Sequence, residues 1–281
     1  MKVVTPNKFR ILALDLDDTL LRSDLSVSFR TRNVIKRAER AGVTVVLASG
    51  RVPAAMERFS RLLGLNKRQG YLISSNGAII QESQTLNIIH EIRIEPPIAL
   101  AICDLANAEG FPVQMYEDDV IYVSKQNEYS RYDQKLTGLR QIVVENFRAM
   151  VGEGCHKLII PSDPMLLLPL ESLLRTYLGN EITLFNSQPY FLEIMPKDTD
   201  KGTALAKVAD MMGIKAEEVL AIGDSMNDEA MIRWAGTGVA MANGDERIKN
   251  IADMVTTRTN DDDGVFDVIN TYILRKGRSD G

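Results

Sequence analysis

Short, continuous apolar runs that stop abruptly at polar residues constrain this chain more than any other feature. Residues 11–14 form the first, set between Arg10 and the carboxylates Asp15, Asp17 and Asp18. A run this short and this uniformly apolar reads as a strand buried on both faces of a parallel sheet. Runs at 43–48, 71–73 and 219–222 repeat the pattern. They close in Ser49-Gly50-Arg51, in Ser74-Ser75-Asn76-Gly77, and in Gly223-Asp224-Ser225-Met226-Asn227-Asp228. In an open α/β sheet ligands bind at the carboxyl ends of the strands, so acids collected there point to chemistry. Each cluster also has a plainer explanation when taken alone: Asp17-Asp18-Thr19 is ordinary turn composition, and Ser49 can simply cap a helix.

Between the first two runs, Ser28 to Ala41 predicts a helix, with Phe29, Val34, Ile35 and Ala38 as its apolar stripe and Gly42 as its stop. Pro53 starts another, residues 54–63. A βαβα order with right-handed crossovers places the second strand parallel to and near the first, so Ser49 shares the edge of Asp15. The Ser49-Gly50 pair can offer an anion a hydroxyl and two backbone N–H groups. After Gly77 the pattern changes. Antiparallel strands are expected at 79–80 and 88–94, a helix from Pro96 to Gly110, and a hairpin of 112–116 with 120–123. A polar helix at 127–138, a strand at 156–161, a Pro-broken helix through Leu178, and strands at 181–186 and 190–195 follow. Together they form an α+β insert of roughly a hundred residues, large enough for a second domain. A helix resumes at Lys201-Gly202, with Asp200 as its cap and Leu205, Val208, Ala209 and Met212 on its apolar face. Lys201 thus sits in a first turn, where a cation opposes the helix dipole. Such local misfits mark function, although on this residue alone a lysine extending into solvent is the better reading. Strands at 238–241 and 254–255 follow, and the acids of 260–264 read as a solvated loop and not as a ligand set.

Composition removes other classes. The chain has 281 residues, 45% hydrophobic and 25% charged, with a net charge of −5. That acidity argues against a nucleic-acid binder, which needs a dense basic surface. Residues 1–8 lack the apolar core of a signal peptide, and 165–174 is too short to span a bilayer, which leads to the expectation of a cytoplasmic protein. Cys103 and Cys155 form no CxxC pair, and His90 and His156 lie near no glycine-flanked serine, so zinc, redox and Ser-His-Asp schemes have little support. No GxxxxGK[ST] loop is present, which excludes an ordinary P-loop hydrolase.

What remains is a carboxylate pair, a Ser-Gly nest, a lysine and a second carboxylate cluster. Phosphoryl transfer needs this inventory: a nucleophile, a cation between protein and phosphate, and donors for the equatorial oxygens. The residues closely resemble the haloacid dehalogenase superfamily, specifically its Cof-type phosphatases. Asp15-Leu16-Asp17-Asp18-Thr19, Ser49-Gly50-Arg51, Lys201-Gly202 and the Asp224 to Asp228 cluster match its four motifs in order. The resemblance implies an α/β fold: a Rossmann-like doubly wound parallel core, residues 1–81 and 189–281, with a C2-type α/β cap inserted at 82–188. It also implies a Mg²⁺-dependent phosphatase acting on a small phosphorylated metabolite such as a sugar phosphate. Asp15 would be the nucleophile and Asp17 the acid and base; Asp15, the Asp17 carbonyl and Asp224 would hold Mg²⁺. Leu16, Ser49, Gly50, Lys201 and Asn227 would grip the phosphoryl group, with Asp228 orienting Lys201 or a metal-bound water. A phosphomutase using the same aspartyl-phosphate and a non-enzymatic sensor are the alternatives; a sensor has no need of both Asp15 and Asp17.

Overall fold

A computed structural model describes residues 8–274; residues 1–7 and 275–281, which the expected ranges include, lie outside the described residues. The chain opens with strand β1 (Ile11–Asp15), helix α1 (Phe29–Arg40), β2 (Thr44–Ala48), α2 (Pro53–Leu63), β3 (Tyr71–Ser74), β4 (Ile79–Glu82) and β5 (Ile88–Glu91). The middle carries α3 (Pro96–Ala108), β6 (Gln114–Glu117), β7 (Val120–Val123), α4 (Glu128–Thr137), β8 (Arg140–Val143), α5 (Phe147–Val151), β9 (Leu158–Pro161), α6 (Pro164–Leu178), β10 (Ile182–Gln188) and β11 (Phe191–Pro196). The chain closes with α7 (Lys201–Met211), β12 (Val219–Gly223), α8 (Glu229–Trp234), β13 (Thr237–Ala240), α9 (Glu246–Ile251), β14 (Met254–Val255) and α10 (Gly264–Val268).

Among the described residues, the first compact unit comprises residues 8–50, Met56–Ile89 and residues 200–274. Its described strands lie in the order β14-β13-β12-β1-β2-β3-β4-β5. Pairing from β14 through β3 is parallel, and β4 runs antiparallel to β3. Central β1 shows why its sequence has no alternation. Leu12 and Leu14 pack on one face with Val34, Ile35, Met56, Phe59 and Val265. Ile11 and Ala13 pack on the other with Leu205, Val208, Met231 and Ile248. Helices therefore cover both faces, and every β1 residue is buried. This is the doubly wound α/β arrangement that uninterrupted apolar strands require.

The second unit comprises Arg51–Ala55 and His90–Thr199, with strand order β10-β11-β9-β6-β7-β8. Its own core joins Ile102, Met115, Leu158, Leu170 and Ile194. Three local features depart from expectation. The units divide at Ile89 and Thr199, not at 81 and 189, because β5 lies beside β4 in the larger sheet and β11 pairs with β9 in the smaller. Pro169 does not break α6, which runs from Pro164 to Leu178 with the proline on an exposed position. Strand β8 and helix α5 were not foreseen; β8 lies parallel to β7 after the α4 crossover. Among the described residues no helix is long and apolar enough to cross a membrane.

Candidate active site

Three elements of the first unit converge on one buried lysine. Asp15 is the last residue of β1 and 4% exposed; Lys201 is the first of α7 and 0% exposed; Asp228 follows the β12 loop and is 0% exposed. Lys201 Nζ donates to Asp15 Oδ1 at 2.7 Å and to Asp228 Oδ1 at 2.6 Å. Its burial removes the solvated alternative. The helix start that holds it is secured by Asp200, whose carboxylate accepts from the Thr203 N–H while the Thr203 hydroxyl meets the Asp200 N–H. This capping box supplies the anion that Lys201 does not.

The β12 loop is held from within. Asp228 Oδ2 accepts the N–H groups of Asp224 and Ser225 at 3.0 and 3.1 Å, so both its oxygens are engaged. Asp224 is half-buried and accepts the Thr19 hydroxyl at 2.9 Å on Oδ1. Asn227 Oδ1 accepts the Ser225 hydroxyl at 2.7 Å, and its Nδ2 donates to Asn76 Oδ1 at 3.0 Å. Ser49, 1% exposed, follows β2, whose Ala48 is in register with Asp15. Its N–H donates to the Ile73 carbonyl at 2.9 Å. Leu16 is buried, and Asp17 and Gly50 are half-buried.

The segment after β1 that carries Asp17 is stapled from two other loops. Asn243 Nδ2 donates to the Asp18 carbonyl at 2.7 Å, and Asn260 Nδ2 donates to the Leu21 carbonyl at 2.9 Å. The acidic loop expected to be solvated also takes part. Asp261 accepts from the Ser23 N–H and hydroxyl, and Asp263, 8% exposed, accepts from Arg22 at 2.9 Å. Both acids therefore tie the loop to the chain following β1.

Electrostatics show what the cluster lacks. Burial and the neighbouring Asp228 push the Asp15 carboxyl well up, and Lys201 only partly opposes them. Burial and Asp228 also raise Asp224, to about 7. Burial works against the Lys201 charge, but Asp15 and Asp228 outweigh it and hold the ammonium above the ordinary lysine range. Asp15, Asp224 and Asp228 each bring a carboxylate oxygen within 4.8 Å of the others. Three carboxylates against one ammonium leave an excess of negative charge in a buried place. An all-oxygen, anionic set of this kind suits a hard divalent cation, so the residues fit a metal. Site reasoning from sequence missed Asn76, Asn243 and Asn260; only the Ser-Ser-Asn-Gly close of a buried strand offered a signal, and only for the first.

The haloacid dehalogenase-like hydrolase family matches residues 12–269. YxeH of Bacillus subtilis (strain 168) is 30% identical over an alignment covering 95% of this chain and 100% of its own. The 5-amino-6-(5-phospho-D-ribitylamino)uracil phosphatase YcsE of the same strain is 30% identical, covering 94% of this chain and 96% of its own. The crystal structure of a haloacid dehalogenase-like hydrolase from Bacteroides thetaiotaomicron has a TM-score of 0.86 and 32% identity, over 94% of this chain and 99% of that one.

Proposed function

Because the chain belongs to the haloacid dehalogenase-like hydrolases and is a phosphatase of their Cof type, we propose that it hydrolyses small phosphate monoesters of the sugar-phosphate kind through an aspartyl-phosphate on Asp15. The observation that carries this reading is Lys201, fully buried and bonded to both Asp15 and Asp228. An ammonium sealed among carboxylates at the carboxyl edge of a parallel sheet has the place and charge to meet a phosphoryl group. The YcsE name, a phosphatase acting on a phosphorylated ribityl chain, supports a small polyol-like leaving group. The inserted unit, His90–Thr199, takes the part of the C2-type cap.

In the first step an Asp15 oxygen forms a bond to phosphorus while the bond from phosphorus to the leaving oxygen breaks. That oxygen takes a proton from Asp17. In the second step Asp17 takes a proton from water, the water oxygen bonds to phosphorus, and the Asp15 oxygen departs with its electron pair, releasing inorganic phosphate. Lys201 holds the Asp15 carboxylate in place and balances its charge. Leu16, Ser49, Gly50 and Asn227 secure the phosphoryl oxygens. Asp15, the Asp17 carbonyl and Asp224 would hold Mg²⁺, whose charge lets the carboxylate and phosphate approach one another. Asp228 orients Lys201.

Phosphate release from a broad panel of phosphate esters tests this, with Mg²⁺ present and then chelated. Turnover is expected only with the metal. Asp15→Asn, which keeps volume and polarity but loses the nucleophile, should abolish it. Activity in that variant within about tenfold of wild type, about 1.4 kcal/mol of barrier, contradicts nucleophilic catalysis.

A further inference from the structure

We infer that Asn76, which lies outside the four motifs, is a positioning residue that aims the Asn227 amide and the Ser49-Gly50 peptides at the phosphoryl group. The assignment rests on the phosphatase function proposed above. Ser75, Asn76 and Gly77 follow β3 with φ of 48°, 50° and 106°, three consecutive residues in left-handed backbone. Ser75 and Asn76 are 1% and 2% exposed. Left-handed serine and asparagine side by side cost conformational energy and persist where the surroundings fix them.

The contacts that fix them lead to three site segments. The Asn76 N–H donates to the Ser49 carbonyl at 3.0 Å. Its side chain stands against Gly50: a Cβ on that glycine would lie 3.1 Å from both Asn76 Oδ1 and Nδ2. Gly77 backs onto the helix start that carries Lys201, where a Cβ would come within 2.3 Å of the Asp200 carbonyl oxygen. Asn76 Oδ1 accepts from Asn227 Nδ2 at 3.0 Å. That last bond decides the orientation of an amide whose two ends are otherwise nearly the same shape. With Asn76 Oδ1 on the nitrogen side and the Ser225 hydroxyl on Asn227 Oδ1, the nitrogen keeps its second hydrogen for an anion. Reversed, the amide would present an oxygen to phosphate and repel it. Asn76 thus supports through one side chain what Asn227 and Gly50 do directly.

Two variants separate the side chain from the backbone. Asn76→Gly accepts φ near +50° without strain but removes the amide. Asn76→Asp tolerates the same backbone and keeps an acceptor oxygen facing Asn227 Nδ2. Steady-state hydrolysis of p-nitrophenyl phosphate, with inorganic phosphate as competing product, is measured for each, alone and combined with Asn227→Ala. Asn76→Gly should weaken phosphate inhibition and lower kcat/KM by about tenfold. Asn227→Ala should then cost less than about twofold in the Asn76→Gly background, while keeping its full cost in wild type and in Asn76→Asp. A merely structural loop residue would lower thermal stability without this coupling. Wild-type phosphate affinity in Asn76→Gly, an undiminished Asn227→Ala effect in that background, or its disappearance in Asn76→Asp each overturns the assignment. A wild type that hydrolyses no ester removes the reaction and the assignment together; an active wild type with any of the three results above overturns the assignment alone.

Discussion

The Thr19 hydroxyl donates to Asp224 Oδ1 at 2.9 Å, joining residues 205 apart in sequence across the carboxyl ends of two adjacent parallel strands. Thr19 is 1% exposed, so the donor side of the bond is shielded from water while Asp224 is half-buried. It is also one of the forces that keep Asp224 from rising further.

Thr19→Val keeps the shape and removes this donor. Groups that hydrogen-bond a metal-binding carboxylate orient it and tune its charge, and losing one costs about 10–100-fold in affinity or activity. The variant should need about tenfold more Mg²⁺ for half-maximal activity while approaching wild-type kcat at saturating metal. An unchanged Mg²⁺ titration would separate Thr19 from the metal.

Lys201→Met tests the electrostatic balance of the cluster in stability rather than rate. Removing one partner of a buried ion pair strands the remaining charge and costs about 3–5 kcal/mol. Urea unfolding with metal chelated should show a loss of that order. Lys201→Met combined with Asp228→Asn should lose less than the sum, because the second change removes one stranded carboxylate. Strict additivity would mean that Lys201 and Asp228 do not stabilise each other.

The strand ends were legible because a run buried on both faces cannot carry polar residues: Asp15, Ser49 and Asp224 stand out wherever the run stops. Partners are harder to read, since nothing in the local sequence links Asn76 to Asn227 or Thr19 to Asp224. Lys201 shows the limit from another side. Its first-turn position flagged a misfit, but its burial depends on carboxylates 27 and 186 residues away. Helix periodicity put Phe29 in the apolar stripe of α1, yet it is 70% exposed. Thr31 takes the buried position instead, with its hydroxyl 3.3 Å from Asp263 Oδ1. Strand β5 looked like part of the insert because its antiparallel character broke the parallel pattern, but its place beside β4, which pairs with β3, keeps it in the larger sheet.

Asp263 gives a pH signature. Burial works against its charge, but hydrogen bonds from Ser28, Arg22 and Thr31 and the Arg22 charge outweigh it and hold the carboxyl below the ordinary range. A carboxyl lowered in the folded state stabilises the fold above its unfolded pKa, near 3.9, and that contribution disappears as pH falls through the folded value. Asp263→Asn keeps the left-handed backbone at φ 66° and a neutral acceptor. It should cost about 1 kcal/mol at pH 7, the difference between charge-assisted and neutral hydrogen bonds. Unfolding curves for the two proteins should begin to converge as the pH falls below about 4 and meet only once it is below the folded value. A gap that does not narrow at all as the pH falls below that of the unfolded carboxyl would show that shape, and not charge, is what Asp263 contributes.

Asp17→Asn divides the proposed reaction in two. The segment around residue 17 is held by Asn243 on the Asp18 carbonyl, by Asn260 on the Leu21 carbonyl and by Thr19 on Asp224, none of which uses the Asp17 carboxyl. The substitution should therefore leave the loop, and the backbone carbonyl proposed as a metal ligand, in place. A sugar alkoxide leaves poorly without a proton, whereas p-nitrophenolate leaves with little help. With p-nitrophenyl phosphate, transfer to Asp15 should survive while hydrolysis of the aspartyl-phosphate, which needs a base for water, becomes slow. Stopped-flow mixing should show a burst of p-nitrophenol near one equivalent per active site, followed by slow turnover. With sugar phosphates the variant should show no burst. Equal losses on both substrates and no burst would mean that Asp17 positions the metal or the loop and moves no proton.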